Sequence, residues 1–491
     1  MAGTDPSDAH PPPRRLAGVF SWNGWWRLGG AALVALGWVA WRVVPDAIAR
    51  PLSVMQSPDA ATAARMWMDA ATRPAAVADG VALTACGLGV LALFLGRRIV
   101  RRPALVALVA CTGVAYTMLS FHARALPGDF VGDARHFLRM AGEWPWRPGG
   151  WFRYRVLGPW IARALGSLPD DVVPDVAGYG AARGWFLLAL GSLALLGPAL
   201  VLLLRDLRFG IAAQHLGVLL YLSSFALLYH SFNYALPDPL ALLLLVLACR
   251  AIVRGRDAEL AVWLLLGGLT KEVVLFLVPV RWLWARRDGH GLDVPAALRA
   301  TLPALPALAV FAWLRFRPDE AANYTGFVAG NAFLFPWRHQ PDNVARLYSP
   351  FAAGWALIAL AALRPDRWTR AALGFLAPCA FSLLFTDSGR MLVYLTPFAI
   401  PAMLRAAGAD ARVPRRGLIA LLLVCLSMRL WEPFAVLWKV PLFVRRPLAL
   451  LLATVCAWLV RDVWAPPRGA AGQRGDATPR STAASSAASA S

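Results

Sequence analysis

Read from its start, the chain alternates long apolar runs with short polar breaks, and most of the breaks are rich in arginine. A run of about 17–25 apolar residues with few charges is the length that crosses a hydrocarbon layer as a helix. The pattern predicts helices near 28–45, 79–97, 103–122, 184–204, 211–230, 236–251, 259–270, 273–286, 297–315, 350–364, 371–386, 391–407, 417–430 and 447–463. Several of these runs are short or contain Pro, as re-entrant or broken helices do. The fold class expected from them is all-α, a polytopic transmembrane bundle of about 11–14 membrane helices. Longer non-apolar stretches cover 46–78, 123–183 and 316–349, with a weaker one at 431–446. These are expected to be loops, and the extracytoplasmic ones to carry short helices.

Both ends of the chain break the pattern. Residues 1–27 are polar and Pro-rich, and residues 464–491 are dominated by Ala, Ser, Gly and Arg. Such compositions cannot bury enough apolar surface to fold and predict disorder. The transmembrane domain is therefore placed at 28–463, with the loop 123–183 as its main excursion. Arg14 and Arg15 precede the first apolar run, but no small-residue cleavage site follows it, so this run is read as a retained helix.

Composition reinforces the membrane reading. The chain is 58% hydrophobic and only 16% charged, against about 25% charged in soluble domains. The formal charge is +21, which alone would suit a nucleic-acid partner. The basic residues, however, form short clusters between apolar runs, such as Arg97-Arg98 with Arg101-Arg102, and Arg415-Arg416, rather than one stripe. No nucleic acid is expected as a partner. The six cysteines all lie inside apolar runs without metal-binding or disulfide spacing, and are read as small packing residues.

The basic clusters also set an orientation, because short cytoplasmic loops collect Lys and Arg. With the N-terminus cytoplasmic, the connections 97–102, 205–208, 250–256, 281–287, 364–370 and 405–416 all fall inside, and all are basic. The loops 123–183 and 316–349 then fall outside, together with the turns around Asp238, Lys271-Glu272 and 387–390. Charged residues at the ends of several helices are thus expected to converge on one outer face. The location this implies is a membrane crossed many times, and the preference for Arg over Lys with the Ala and Leu richness suggests a GC-rich bacterial genome, hence a bacterial inner membrane.

Four segments on that face carry chemistry. The stretch Gly128–Trp160 holds Asp129, Asp133, His136, Glu143, Arg147, Arg153 and Arg155 among several Trp. A carboxylate there suits a general base, and arginines suit bidentate phosphate binding. The same Trp and Arg also suit plain anchoring at the interface. Asp238, in Asn233–Pro239, starts an apolar run and fits either a helix cap or a functional charge. Lys271 and Glu272 are adjacent opposite charges between two apolar runs, where charge is costly. Asp387 and Arg390 either pair with each other or leave Arg390 to hold an anion. No HExxH, P-loop, dinucleotide fingerprint or GxSxG is present, and the histidines are scattered. No metal site is expected from spacing, although the acidic residues leave a divalent cation open as a cofactor.

The order of these strings resembles the GT-C superfamily, the polytopic glycosyltransferases that use lipid-linked sugars. The matching strings are Gly132-Asp133-Ala134-Arg135-His136-Phe137, then Trp151 to Pro159 (WFRYRVLGP), Asp238-Pro239, Thr270-Lys271-Glu272 followed by an apolar run to Pro279, and finally Asp387, Arg390, Leu392, Tyr394, Leu395 and Pro397. They span about residues 103–407. Two features differ from the superfamily's pattern: the early acidic loop follows the third helix rather than the first, and Phe137 stands where a Tyr is frequent. The resemblance implies transfer of a sugar from a polyprenyl-phosphate donor to an extracytoplasmic glycan or lipid acceptor. It implies Asp133, or else Asp129, as base. Arg153, Arg155, Lys271 and Arg390 would hold the donor phosphate, with Asp238, Glu272 and Asp387 in support. A transporter or lipid-linked sugar flippase, and a non-enzymatic membrane assembly protein, are the other readings of the same residues.

Overall fold

The structure is a computed structural model, and it describes residues 30–32, 34–35, 83–92, 94–125, 133–142, 155–168, 180–232, 234–286, 294–315, 347–382, 388–410, 413–430 and 442–464. The two predicted tails, apart from Trp464, lie outside the described residues, as do most of the long polar stretches 46–78 and 316–349. Every regular element among the described residues is helical. From Pro103 onward these are α1 (Pro103–Ala125), α2 (Asp133–Gly142), α3 (Leu157–Gly166), α4 (Gly180–Asp206), α5 (Ile211–Ser223), α6 (Phe225–Phe232), α7 (Asp238–Arg254), α8 (Asp257–Thr270), α9 (Leu277–Ala285), α10 (Val294–Thr301), α11 (Leu305–Arg315), α12 (Gly354–Leu363), α13 (Arg367–Ser382), α14 (Ser388–Val393), α15 (Thr396–Ala406), α16 (Arg415–Leu430) and α17 (Leu442–Trp464). Three helical stretches, Pro103–Ser120, Gly180–Asp206 and Ala297–Leu314, are long and apolar enough to cross a membrane.

Several predicted runs are interrupted rather than continuous. The run at 211–230 breaks at Ser224, whose backbone is extended and whose hydroxyl donates to the Tyr221 carbonyl. The run at 273–286 opens with a 3-10 turn, Glu272–Phe276, before α9. The 391–407 run becomes α14 and α15, with Pro397 near the start of the second. Pro suits the first turn of a helix because the N–H it lacks has no intrahelical partner there. The short helices expected in the 123–183 loop are α2 and α3, and α4 starts at Gly180, four residues ahead of the expected point.

α4 is the axle. Its 27 residues extend about 40 Å at 1.5 Å per residue, and α1, α3, α5 and α7 all pack on it. Close approach depends on small residues. At Gly184 of α4 a Cβ would collide with the Ala162 carbonyl of α3, and at Gly197 it would meet Cys111 and Ala107 of α1. Small residues let apolar helices approach backbone to backbone where packing, rather than water, drives association.

The turn from α7 to α8 fixes the site. Gly255 takes a left-handed conformation (φ 66°), and the Arg256 N–H donates to the Ala251 carbonyl. That is the bond pattern that closes a helix end with glycine in the left-handed region. α8 then begins at Asp257 and runs back beside α7. The 17 and 14 residues of the two helices amount to about 25 and 21 Å. Asp238 at the start of α7 and Lys271 just past the end of α8 therefore meet again at one end of the hairpin.

The opposite end gathers the predicted basic loops. Arg250 bonds Asp206 (3.0 Å), Arg281 bonds Asp257 (2.9 Å), Arg367 donates to the Trp284 carbonyl (2.6 Å), and Arg405 pairs with both Asp366 and Asp410. The Gly210 N–H donates to the Asp410 carbonyl (2.8 Å), and His215 lies 2.9 Å from the Val100 carbonyl oxygen. Loops from 100 to 410 are thereby joined into one belt.

Substitution Gly184→Leu should force α3 and α4 apart. Overpacking of this kind costs about 1–3 kcal/mol, and the expected result is a lower thermal midpoint for the detergent-purified protein. Gly191→Leu, where nothing lies within 4 Å of the added Cβ, should leave the midpoint unchanged.

Candidate functional site

At the end opposite the basic belt, a buried carboxylate collects cations from distant parts of the chain. Asp238 is fully buried. Its Oδ1 accepts from Lys271 Nζ (2.7 Å), Arg390 Nε (2.8 Å) and the Tyr394 hydroxyl (2.8 Å), and its Oδ2 accepts from Arg390 Nη2 (2.7 Å). Arg390 thus grips Asp238 with two parallel bonds, across 152 residues of chain. Beside it, Arg155 makes the same forked contact with Glu272, Nη2 to Oε1 at 2.7 Å and Nε to Oε2 at 3.2 Å. Planar guanidinium and carboxylate groups match in this geometry, which fixes orientation as well as energy.

Local sequence explains how each group arrives. Asp238 is the first residue of α7, after Pro237, and makes no side-chain cap bond. Of the two roles open to Asp238, cap or functional charge, the side chain takes ion pairing, and the helix start still favours a negative charge there. Lys271 takes an extended conformation (φ −164°, ψ 133°) between α8 and the 3-10 turn. That break turns Lys271 toward Asp238 while Glu272, next along, faces Arg155. Arg155 lies two residues before α3, whose Gly158 fits between Trp185 of α4 and Pro237. A Cβ there would come within 2.8 Å of the Trp185 ring and 3.5 Å of Pro237. Trp185 also donates to the Phe137 carbonyl (3.2 Å) and meets that ring edge to face, which docks α2 beside α3.

Five predicted residues are therefore brought together: Arg155, Asp238, Lys271, Glu272 and Arg390. Asp133 is the first residue of α2, one turn ahead of Phe137. Asp129, Arg153 and Asp387 lie outside the described residues. Two contributors were not singled out from the sequence. Tyr394 was only a letter in a longer string, yet it is fully buried, donates to Asp238 and carries Lys271 Nζ 5.0 Å from its ring centre. His230, set aside as one of several scattered histidines, is buried with its ring 6.4 Å from that of Tyr394. The signal for His230 was its position in an apolar run that turns polar at His230-Ser231, just before the Asp238 string.

Each carboxylate of this cluster is held by cations: Asp238 by Lys271 and Arg390, and Glu272 by Arg155. Lys271 is 4% exposed and, among the described residues, uses one of its three N–H donors. A buried ammonium with donors to spare suits an anion. A metal ion fits this cluster less well, because the oxygens of Asp238 and Glu272 already accept from cations. Among the described residues no group of three or more His, Cys, Asp or Glu is placed to hold a metal.

Comparison of the chain with protein-family models, with curated proteins and with solved structures found no match.

Asp238→Asn should leave Lys271 and Arg390 buried without compensation. Breaking a buried ion pair from one side costs about 3–5 kcal/mol, so a marked fall in thermal midpoint is expected. Adding Lys271→Met to that variant should recover part of the loss. Strictly additive losses in the double variant would show that the two groups are not coupled.

Proposed function

We propose that the chain is a polytopic membrane glycosyltransferase of GT-C type, moving a sugar from a polyprenyl-phosphate donor to a glycan or lipid acceptor outside the cytoplasm. The observation that carries this reading is the cluster at one helix end, where the buried Lys271 ammonium, among the described residues, keeps donors to spare beside Arg390 and Arg155. The basic belt at the other end marks the cytoplasmic side by the positive-inside rule. The cluster is then extracytoplasmic, in a bacterial inner membrane, and the remaining apolar helices cross beside α1 and α4.

In this mechanism Lys271, Arg390 and Arg155 hold the donor phosphate, which a lipid tail delivers from within the bilayer. Asp133, or Asp129, accepts the proton of the acceptor hydroxyl. The hydroxyl oxygen bonds to the anomeric carbon as the bond from that carbon to the phosphate oxygen breaks. The lipid phosphate leaves carrying the negative charge that the cations stabilise. Asp238 and Glu272 hold the cations in place rather than reacting. A transporter or flippase would need polar groups at several depths, whereas Leu240–Cys249 of α7, between the two charged ends, are all apolar.

Membranes containing the protein should transfer label from a polyprenyl-phosphate sugar. Asp133→Asn should reduce the rate by about 10²–10⁴-fold, the usual contribution of a general base, with membrane insertion unchanged. Glycan and lipid analysis of a deletion strain should show a missing sugar residue. A deletion strain with every surface glycan and lipid intact would overturn the proposal.

Reporter fusions give a separate check on orientation. Fusions after Gly255 and after Lys271 should report opposite sides of the membrane. Fusions at Asp133 and Lys271 should report the same side.

A further inference from the structure

The segment that enters α1 has features the catalytic reading leaves unused. Residues Gly96–Arg101 form a 3-10 turn with Ile99 buried as its anchor. His215 of α5 lies against the Val100 carbonyl oxygen and holds the turn to the bundle. Around that anchor, Arg97, Arg98, Arg101 and Arg102 are all exposed. Among the described residues none of the four makes an ion pair or a side-chain hydrogen bond. Elsewhere on the same belt Arg250, Arg281 and Arg405 are each paired with a carboxylate. Among the described residues these four guanidinium groups, within six positions, have no counter-charge.

The helix that leads into the turn supplies a second observation. Leu83 is 42% exposed, Val90 43% and Phe94 81%. These positions are seven and four residues apart, so they lie on one helical face. The stripe runs for 11 residues, about 16 Å, which matches one leaflet of a hydrocarbon core about 30 Å thick. It ends directly at Arg97 and Arg98. Val100 and Leu105, 44% and 40% exposed, continue apolar surface among and just beyond the arginines.

We propose that this segment is a binding site for a single anionic phospholipid, its phosphate held by Arg97, Arg98, Arg101 and Arg102 and one acyl chain lying along Leu83, Val90 and Phe94. The inference rests on the chain spanning a membrane and not on sugar transfer. The charge chemistry selects against zwitterionic lipids: four unneutralised arginines gain from a net negative headgroup and gain little from one that carries its own ammonium. The apolar stripe selects against free phosphate, which has nothing to lay there. The site faces the leaflet opposite the Asp238 cluster, so this lipid is distinct from the sugar donor.

The test uses the purified full chain in nanodiscs that contain a phospholipid with a photoactivatable group in its acyl chain. Two versions are compared, one with a phosphatidylglycerol headgroup and one with phosphatidylcholine. Peptides covering residues 83–105 should be labelled several-fold more by the anionic version, and the excess should fall as salt is raised. Arg97→Gln/Arg98→Gln/Arg101→Gln/Arg102→Gln should bring labelling down to the phosphatidylcholine level. Equal labelling of the wild-type protein by the two lipids would overturn the proposal, and that measurement stands even where the quadruple variant cannot be recovered. Displacement of the anionic lipid by millimolar inorganic phosphate would overturn it as well, by assigning the patch to the free anion.

Discussion

A carboxylate taken fully out of water must be neutralised, and the charged end of this molecule follows from how Asp238 meets that requirement. An isolated buried charge costs several kcal/mol even after the protein relaxes. Asp238 meets the demand with two cations and a hydroxyl brought from α14, from the break after α8 and from Tyr394. Removing either cation leaves the remaining charges unbalanced in a low-dielectric setting, and removing the hydroxyl leaves Asp238 one hydrogen bond short. The second pair, Arg155 with Glu272, is tied to the first by chain continuity, since Glu272 follows Lys271 directly. Helix packing positions these groups, and the charge balance holds them to a narrow set of arrangements.

The hairpin of α7 and α8 converts this local requirement into polarity for the whole fold. Both helices have charged ends and apolar middles, and the left-handed turn at Gly255 makes their lengths match. One end of the hairpin therefore carries Asp238 and Lys271, and the other carries Arg250, which pairs with Asp206, and Asp257, which pairs with Arg281. The two ends differ in kind. Asp238 and Lys271 are buried, whereas the belt end adds the exposed Arg97, Arg98, Arg101 and Arg102 to largely buried pairs such as Arg250 with Asp206.

Much of this was legible in the chain. Apolar runs marked the helices because the long stretches without charge are the ones that pack as helices, and the arginine clusters fell at alternate breaks between them. Convergence of Arg155, Lys271, Glu272 and Arg390 near Asp238 was readable by counting runs, since alternate breaks fall at the same end. What periodicity hid was the interruptions. Ser224 ends α5 within an unbroken apolar run, and the Leu395-Thr396 junction between α14 and α15 looks like one continuous helix. Apolar patterning reports burial, while a backbone break depends on a single hydrogen bond or on a proline in context. Pairing was hidden as well. Asp387, three residues from Arg390, is the partner that sequence suggests and lies outside the described residues; Asp238, 152 residues away, accepts from Nε and Nη2 of Arg390 and has no such signal. Nearness in sequence says little about which carboxylate a helix end will meet. Tyr394 and His230 escaped notice because an aromatic or imidazole inside an apolar run has no pattern of its own.

The span between Asp238 and Arg390 also bears on how the protein is made. A ribosome adding about 5–20 residues per second delivers Asp238 to the membrane many seconds before Arg390 exists. Through that interval Lys271, which follows after only 33 residues, is the partner within reach, so the α7–α8 hairpin can enter as a half-neutralised unit. Completion waits for α14, and the polar core closes only after Arg390 has been added, 152 residues behind Asp238.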